Sequence, residues 1–294
     1  MAERPDLGFV GLGLMGTAMT LRLLERGWNV AVWNLEPERV PPVAAAGAHA
    51  CESPAAVAAR SDPVLMCVLN TEAVENCVFG PGGIAGAARP GRILIDHSTA
   101  DPAATRDMAA RLRRETGMHW VDAPVSGGPP AARDGTLTVM AGGDAADIEA
   151  IRPLMRDLAA NFTHMGPVGA GQTAKILNQA IVGAGYVLMA EALSLAEAAG
   201  IDAARLPECL AGGHADSNLL RKVYPQMQAR DFDPPRGYAR QLLKDMKAVR
   251  DFAHGLGRHL PLIEAAVARY AEYVEQGHEM TDSTSVIRLY ERES

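Results

Sequence analysis

Leu7-Gly-Phe-Val-Gly11-Leu-Gly13-Leu-Met15-Gly16 decides how this chain is read. Leu7–Val10 is a short apolar run closed by glycine, as a buried strand of a parallel sheet would be, and Met15 to Arg26 continues as an amphipathic helical stretch. The three glycines between them have the spacing of a phosphate cradle. The first permits a tight turn, the second lets the backbone approach a pyrophosphate, and the third lets the helix lie close on the strand while its N-terminus faces the anion. Such a spacing in isolation also describes a turn without ligand. Here strand, helix and a second strand at Asn29–Trp33 are in register, so Gly11, Leu12, Gly13, Leu14, Met15 and Gly16 are expected to hold a dinucleotide.

Beyond the cradle, apolar runs at Val64–Leu69, Arg92–Asp96, His119–Val121 and Thr136–Ala141 alternate with Ala-rich helical stretches. Each is short and ends at Gly, Pro, Asn or Asp, the pattern of a doubly wound α/β sheet. Near residue 170 the texture changes. Gly169-Ala-Gly171 opens a helix from about Gln172 to Ala199, stopped by Gly200 and long enough to span roughly 40 Å. Helical spacing then continues over about 203–211, 217–229, 239–256, 261–275 and 283–291. The expected architecture is an N-terminal Rossmann domain, 1–168, followed by an all-helical domain, 169–294, joined by the long helix. No internal repeat is visible.

With 294 residues, 48% hydrophobic and 21% charged, the chain can bury two domain cores and is too apolar for a disordered protein. Its 28 Lys and Arg against 35 Asp and Glu leave a net charge of −7, which repels a nucleic-acid backbone. Any anion must therefore be met by a local site. Four cysteines without a CxxC pair fit a reducing cytoplasm. The start lacks the pattern of a secretory signal, and the apolar run Ala180–Ala190 falls short of a membrane span, so a cytoplasmic protein with no membrane partner is expected. The eight histidines show no HExxH or paired Cys/His spacing, and no catalytic metal is expected; His97 lies close to the expected cleft.

Several segments fall where such sheets bind ligands. The second strand ends at Asn34-Leu35-Glu36, where an acid would hold the adenosine ribose and an arginine would meet a 2′-phosphate. Asn34 can hydrogen-bond a ribose and Leu35 cannot pair with phosphate, which favours NAD over NADP; Glu36 and Arg39 equally suit a solvated helix start. Leu69-Asn70 and His97-Ser98-Thr99 follow two strands, and are read either as nicotinamide contacts or as helix caps. In Asp122-Ala-Pro-Val-Ser126-Gly127-Gly128, a hydroxyl and unobstructed amides can cradle a carboxylate, or simply make a turn. On the long helix, Lys175 shares a face with Asn178 and Gln179. The face is otherwise apolar, so partial desolvation would suit this lysine to proton transfer, although a lysine at a helix start also commonly snorkels. Lys244, within Gln241–Lys247, is a second cation that could serve the cleft or a surface ion pair.

Together these segments make the chain resemble the β-hydroxyacid dehydrogenase family, which includes 3-hydroxyisobutyrate dehydrogenase and 2-hydroxy-3-oxopropionate reductase. The resemblance spans nearly the whole chain, with Phe9–Gly16, Asp122–Gly128, Gly169–Asn178 and Leu243–Asp245 in order. It implies that Lys175 is the catalytic acid/base, that Ser126, Gly127 and Gly128 bind the substrate carboxylate, that Asn178 orients substrate, and that Lys244 closes on cofactor and substrate. Thr99, Leu69 and Asn70 map onto cofactor contacts. Two departures stand out. Gln179 replaces the second Asn that many members carry, a choice nearer the 2-hydroxy-3-oxopropionate reductase side. Asn34-Leu35-Glu36 replaces the Asn-Arg-Thr of NADP-preferring members.

The expected reaction is hydride transfer between NAD or NADP and a small β-hydroxy acid or its semialdehyde. An imine reductase is the nearest rival, and such enzymes place another residue where Lys175 stands; a non-catalytic dinucleotide sensor is the alternative from a different class. Hydroxyisobutyrate, glycerate, serine and threonate all present the same carboxylate and hydroxyl, and Gly212–Ser217 is the segment that could choose among them. Gly183, Ala184 and Gly185 along the long helix could seat a second subunit or pack within a monomeric helical core, and the resemblance implies a homodimer or homotetramer.

Overall fold

The structure, a computed structural model, describes residues 6–291. It divides into two compact units, the first ending at Lys175 and the second beginning at Ile176. In the first, the strands are β1 (Leu7–Val10), β2 (Val30–Trp33), β3 (His49–Ala50), β4 (Val64–Met66), β5 (Ile93–Asp96), β6 (His119–Asp122), β7 (Val125–Ser126), β8 (Leu137–Gly142) and β9 (Ala159–Gly166). They form one sheet in the order β3-β2-β1-β4-β5-β6-β8-β7, with β9 beside β8. Pairing is parallel from β3 to β6, turns antiparallel at β8, and is parallel again between β8 and β9. The order reverses beside β1, which is where open α/β sheets bind ligands.

The helices of this unit are α1 (Leu14–Glu25), α2 (Pro41–Ala45), α3 (Pro54–Arg60), α4 (Thr71–Phe79), α5 (Pro102–Thr116), α6 (Gly128–Asp134) and α7 (Ala145–Leu158), followed by α8 (Ala170–Ala198). Alternate residues of a strand face opposite sides of its sheet. Leu7 and Phe9 accordingly join a core with Met19 and Leu23 of α1 and Ile148 and Leu154 of α7. Val10 joins the opposite core with Val57 of α3, Val74 of α4 and Leu112 of α5. Helices on both faces explain why the strands read as continuous apolar runs.

The expected strands are present with adjusted ends, and β4 stops at Met66 rather than Leu69. Three strands escaped the sequence reading. β3 and β7 have two residues each, and β9, with His164 and Asn161 among mostly exposed positions, has no apolar run to announce it.

The second unit contains α9 (Leu206–Cys209), α10 (Tyr224–Gln228), α11 (Ala239–Gly255) and α12 (Pro261–Tyr273), with short helical segments before α9 and α10 and after α12, and an eight-residue 3-10 helix at Ser283–Tyr290. Its core joins Val187, Ala190 and Leu193 of α8 to Tyr224, Met246, Tyr270 and Val286. The expected helices at 203–211 and 217–229 are present, each as two consecutive helical segments, Ala203–Arg205 with Leu206–Cys209 and Leu219–Val223 with Tyr224–Gln228, and Pro207 and Pro225 lie just past the two junctions.

The structure revises the reading of the small residues on α8. A Cβ on Gly183 would lie 1.8 Å from Met246 Sδ, and one on Gly185 would lie 2.3 Å from Leu219 Cδ1. These glycines admit side chains of their own chain, so they do not offer a seat for another subunit. By length and composition α8 is long and apolar enough to cross a membrane, which the run Ala180–Ala190 alone did not suggest; 44% of its most apolar window is buried within the protein.

Candidate active site

At the cradle each glycine has a separate structural reason. Gly11 sits at φ +96, and a Cβ there would come within 2.3 Å of the Cys67 carbonyl oxygen. Gly16 lies so close to β1 that a Cβ would be 1.9 Å from Gly11 O. Gly13, in contrast, has nothing within 4 Å of a built Cβ. That open side lies at the start of α1, where no side chain caps the helix and no acidic residue occupies the first turn. Free amides, an unobstructed approach and the positive end of a twelve-residue helix are what a pyrophosphate requires, so the residues fit a dinucleotide.

Asn34 is buried at the end of β2 and works within this loop. Its Oδ1 accepts from Leu12 N at 2.7 Å, and its Nδ2 donates to Glu36 O at 3.0 Å and Glu36 Oε2 at 2.8 Å. Both ends of the amide are therefore engaged by the protein, and the acidic group presented just beyond β2 is Glu36.

A second constellation gathers where β4, β5 and β6 end and α8 begins. Asp122 Oδ1 accepts from Gly169 N at 2.7 Å and Oδ2 from Gln172 N at 2.8 Å, so one buried carboxylate holds both sides of the first turn of α8. Gln172 Nε2 donates to Ser98 O at 2.8 Å, and its Oε1 accepts from Ala100 N at 3.1 Å. Ser98 Oγ accepts from Val68 N, and Ser98 N donates to Asp96 Oδ1, both at 2.9 Å. Thr99 lies between the two residues that Gln172 holds. Asn70 caps α4 by accepting from Ala73 N, and Asp101 caps α5 through Ala103 N and Ala104 N. Leu69 beside Asn70 is exposed.

One turn further along α8, Lys175 is only 8% exposed, and its Nζ donates to Val125 O at 2.8 Å. Val125 immediately precedes Ser126, Gly127 and Gly128, and the two glycines take φ values of +128 and +72. A side chain at either position would be strained, and a Cβ on Gly127 would also lie 2.6 Å from Ala131 Cβ, so this turn is built for glycine. The amine and the candidate carboxylate cradle are thus brought together within the first unit.

In the second unit Asn178 Nδ2 donates to Gln179 Oε1 at 2.8 Å, and Gln179 Nε2 donates to Asp245 Oδ2 at 2.6 Å. Lys244 Nζ stands 3.0 Å from Asp245 Oδ1. Asp245 therefore organises Lys244 and Gln179 together, a role the sequence reading did not assign it. The Gly212–Ser217 segment is closed on itself, Asp216 Oδ2 accepting from Gly212 N at 2.9 Å and Arg221 Nη1 at 2.7 Å.

Buried charge sets the electrostatics near the end of β5. Desolvation is the main reason that the Asp96 carboxyl rises to about 7, against hydrogen bonds from Ser98 that favour its charge. Burial likewise raises Asp122 to about 6, opposed by the Gly169 and Gln172 amides, and lowers His97 to about 4. His97 is thus neutral, donating from Nδ1 to Ala123 O at 2.7 Å. A carboxyl with its folded value above its unfolded value binds the proton more tightly when folded. Asp96 accordingly supports folding at low pH and loses that contribution as pH rises from about 4 to about 7. His97 acts in the opposite sense below the ordinary imidazole range, so a comparison with a variant isolates the carboxyl. Asp96→Asn keeps an acceptor for Ser98 N and replaces Oδ2, which has no partner among the described residues. Its urea midpoint is expected to gain on the wild type between pH 5 and pH 8; parallel curves would show that Asp96 does not titrate as described.

Fold and cradle together define a dinucleotide-binding oxidoreductase. Residues 6–166 match the NAD binding domain of 6-phosphogluconate dehydrogenase, and residues 169–290 match the NAD-binding domain of NADP-dependent 3-hydroxyisobutyrate dehydrogenase. The chain is 34% identical over 286 residues to 2-hydroxy-3-oxopropionate reductase of Escherichia coli, covering 97% of each protein. It resembles the structure of Mycobacterium tuberculosis 3-hydroxyisobutyrate dehydrogenase with L-serine, at TM-score 0.87 and 30% identity over 99% of this chain and 100% of that one. An imine reductase from Pseudomonas sp. shares the fold at TM-score 0.66 and 18% identity, covering 98% and 100%. The chain belongs to the β-hydroxyacid dehydrogenase family, NAD(P)-dependent oxidoreductases.

Proposed function

We propose that this protein interconverts a small β-hydroxy acid and its semialdehyde, with Lys175 as general acid/base and NAD preferred over NADP. The observation that carries the reading is the buried Lys175 amine, held 2.8 Å from the carbonyl of the residue preceding Ser126. A substrate carboxylate on the Ser126 hydroxyl and the Gly127 and Gly128 amides would bring its β-oxygen toward Nζ. Lys175 takes the hydroxyl proton during oxidation and returns it during reduction. A bound nicotinamide would supply the hydride chemistry at the substrate carbon. The Gly11–Gly16 loop would hold its pyrophosphate, and Leu69, Asn70 and Thr99 would contact its nicotinamide half. In the second unit we assign substrate orientation to Asn178 and Gln179, and to Lys244 closure on cofactor and substrate.

The cofactor preference rests on Glu36. Its carboxylate, fixed by Asn34 at 2.8 Å, suits a ribose diol and repels a 2′-phosphate. Arg39 Nε lies 3.9 Å from that carboxylate and offsets part of the repulsion. The test is reduced-nicotinamide absorbance with each cofactor and a panel of β-hydroxy acids, 2-hydroxy acids and cyclic imines. Turnover confined to β-hydroxy acids, at least about tenfold more efficient with NAD, is expected. Activity only on imines, or dinucleotide binding without turnover, would replace the reading by an imine reductase or a sensor.

Self-association belongs to the same proposal. Leu177, Ile181, Leu188 and Leu195 are exposed on α8 at intervals of four and seven residues, which places them along one apolar stripe. A second copy of the chain covers it; a monomer mass by light scattering at micromolar concentration would overturn this assignment.

A further inference from the structure

We propose that His254, His259 and Glu264 form a binding site for a zinc-class divalent ion, separate from the dehydrogenase chemistry. The three come from the last turn of α11, the connecting turn and the first turn of α12. His254 Nε2 lies 3.1 Å and His259 Nδ1 lies 3.8 Å from Glu264 Oε1. The three donor atoms are all within 4.8 Å of one another. Tetrahedral zinc with bonds of about 2.0–2.2 Å to nitrogen and oxygen needs donor separations of about 3.3 Å. The two separations from the carboxylate bracket that value and the two histidine donors lie within 4.8 Å of each other, so side-chain rotation that closes the histidine pair would bring all three donors onto one ion. The histidine rings are 4.9 Å apart and tilted by 51°, so they are not engaged in a flat stack.

The backbone holds the donors in place before an ion arrives. Gly257 N donates to His254 O at 2.9 Å, and Arg258 N donates to Ala253 O at 2.8 Å, closing the turn after α11. Gly257 at φ +68 permits that turn, and Pro261 begins α12, where Glu264 N donates to Leu260 O at 3.0 Å. Two imidazoles and a carboxylate form a borderline donor set that selects zinc, nickel or copper over magnesium or calcium. All three residues are exposed, so water completes the coordination and the ion is exchangeable. Its physical effect is to clip α11 to α12. Among the described residues a second compact histidine–carboxylate group, His119 with Asp144 and Asp147, is committed differently. Both Asp147 oxygens lie 2.8 Å from His119 Nδ1, and Asp144 pairs with Arg113.

Sequence spacing concealed this site because His254 and His259 precede Glu264 across a helix end, a turn and a proline, a pattern with no fixed ligand motif. Zinc titration of the tag-free full chain by calorimetry tests the proposal, with cobalt absorbance reporting the coordination sphere. One equivalent binding at micromolar Kd is expected, weakened at least tenfold by His254→Ala and by Glu264→Gln. Zinc should raise the melting temperature of the wild type but not of the variants, through preferential binding to the folded state. Circular dichroism without metal controls for folding. A lack of saturable binding below millimolar zinc would leave only a histidine–carboxylate contact, and binding unaffected in both variants would place the ion elsewhere; either result overturns the proposal.

Discussion

Lys175→Ala is expected to lower kcat by about 10²- to 10⁴-fold while leaving the dinucleotide Kd nearly unchanged, the loss typical of removing a positioned proton donor. The separation follows from the structure. Lys175 lies on α8 and donates to Val125 O, whereas the cradle is built by the turn from β1 to α1. The measurement is steady-state turnover together with dinucleotide binding by fluorescence. A protein that loses both in proportion would place Lys175 in the cofactor scaffold or the fold. The direction of reaction supplies a second signature. Under the proposed role, oxidation would require the neutral amine and reduction the protonated one, so rates in the two directions should respond oppositely to rising pH in the wild type. Neither response should persist in the variant.

Gly171→Ala should damage activity and stability together. A Cβ at position 171 would lie 2.4 Å from Met140 O, 2.5 Å from Asp122 O and 2.8 Å from Asp122 Oδ2. The first two are backbone atoms of neighbouring strands, so relief requires moving either the sheet or the start of α8. Overpacking of this kind costs about 1–3 kcal/mol. If α8 yields instead, Lys175 moves with it, and a displacement of about an ångström costs about 100-fold in rate. The expected result is a lower urea midpoint and a kcat reduced by about 100-fold, with dinucleotide affinity less affected because the Gly11–Gly16 loop is untouched. Unchanged stability and turnover would show that the contact between α8 and the ends of β6 and β8 is loose.

The same comparison explains why some of the site could be read along the chain. Gly11, Gly13 and Gly16 are close in sequence, and their chemistry depends on one strand, one turn and one helix. Lys175, Asn178 and Gln179 lie within two turns of α8. Strand alternation and helical periodicity made the fold class legible for a related reason: both reflect which side of a regular element faces the core. β9 escaped because its exposed residues lack that pattern, and the functions of Gly183 and Gly185 escaped because a small side chain does not identify what fills the space beside it.

The amino-acid order alone therefore determined the doubly wound first unit, the helical second unit, the glycine-rich turn between β1 and α1 and the placement of a lysine at the second turn of the connecting helix. Only tertiary structure decided what supports them. Asp122 meets Gly169 across 47 positions and Gln172 across 50, and Leu12 meets Asn34 across 22. No local periodicity can encode such pairs, because their geometry arises when separate elements are buried together and each polar group must find a partner away from water.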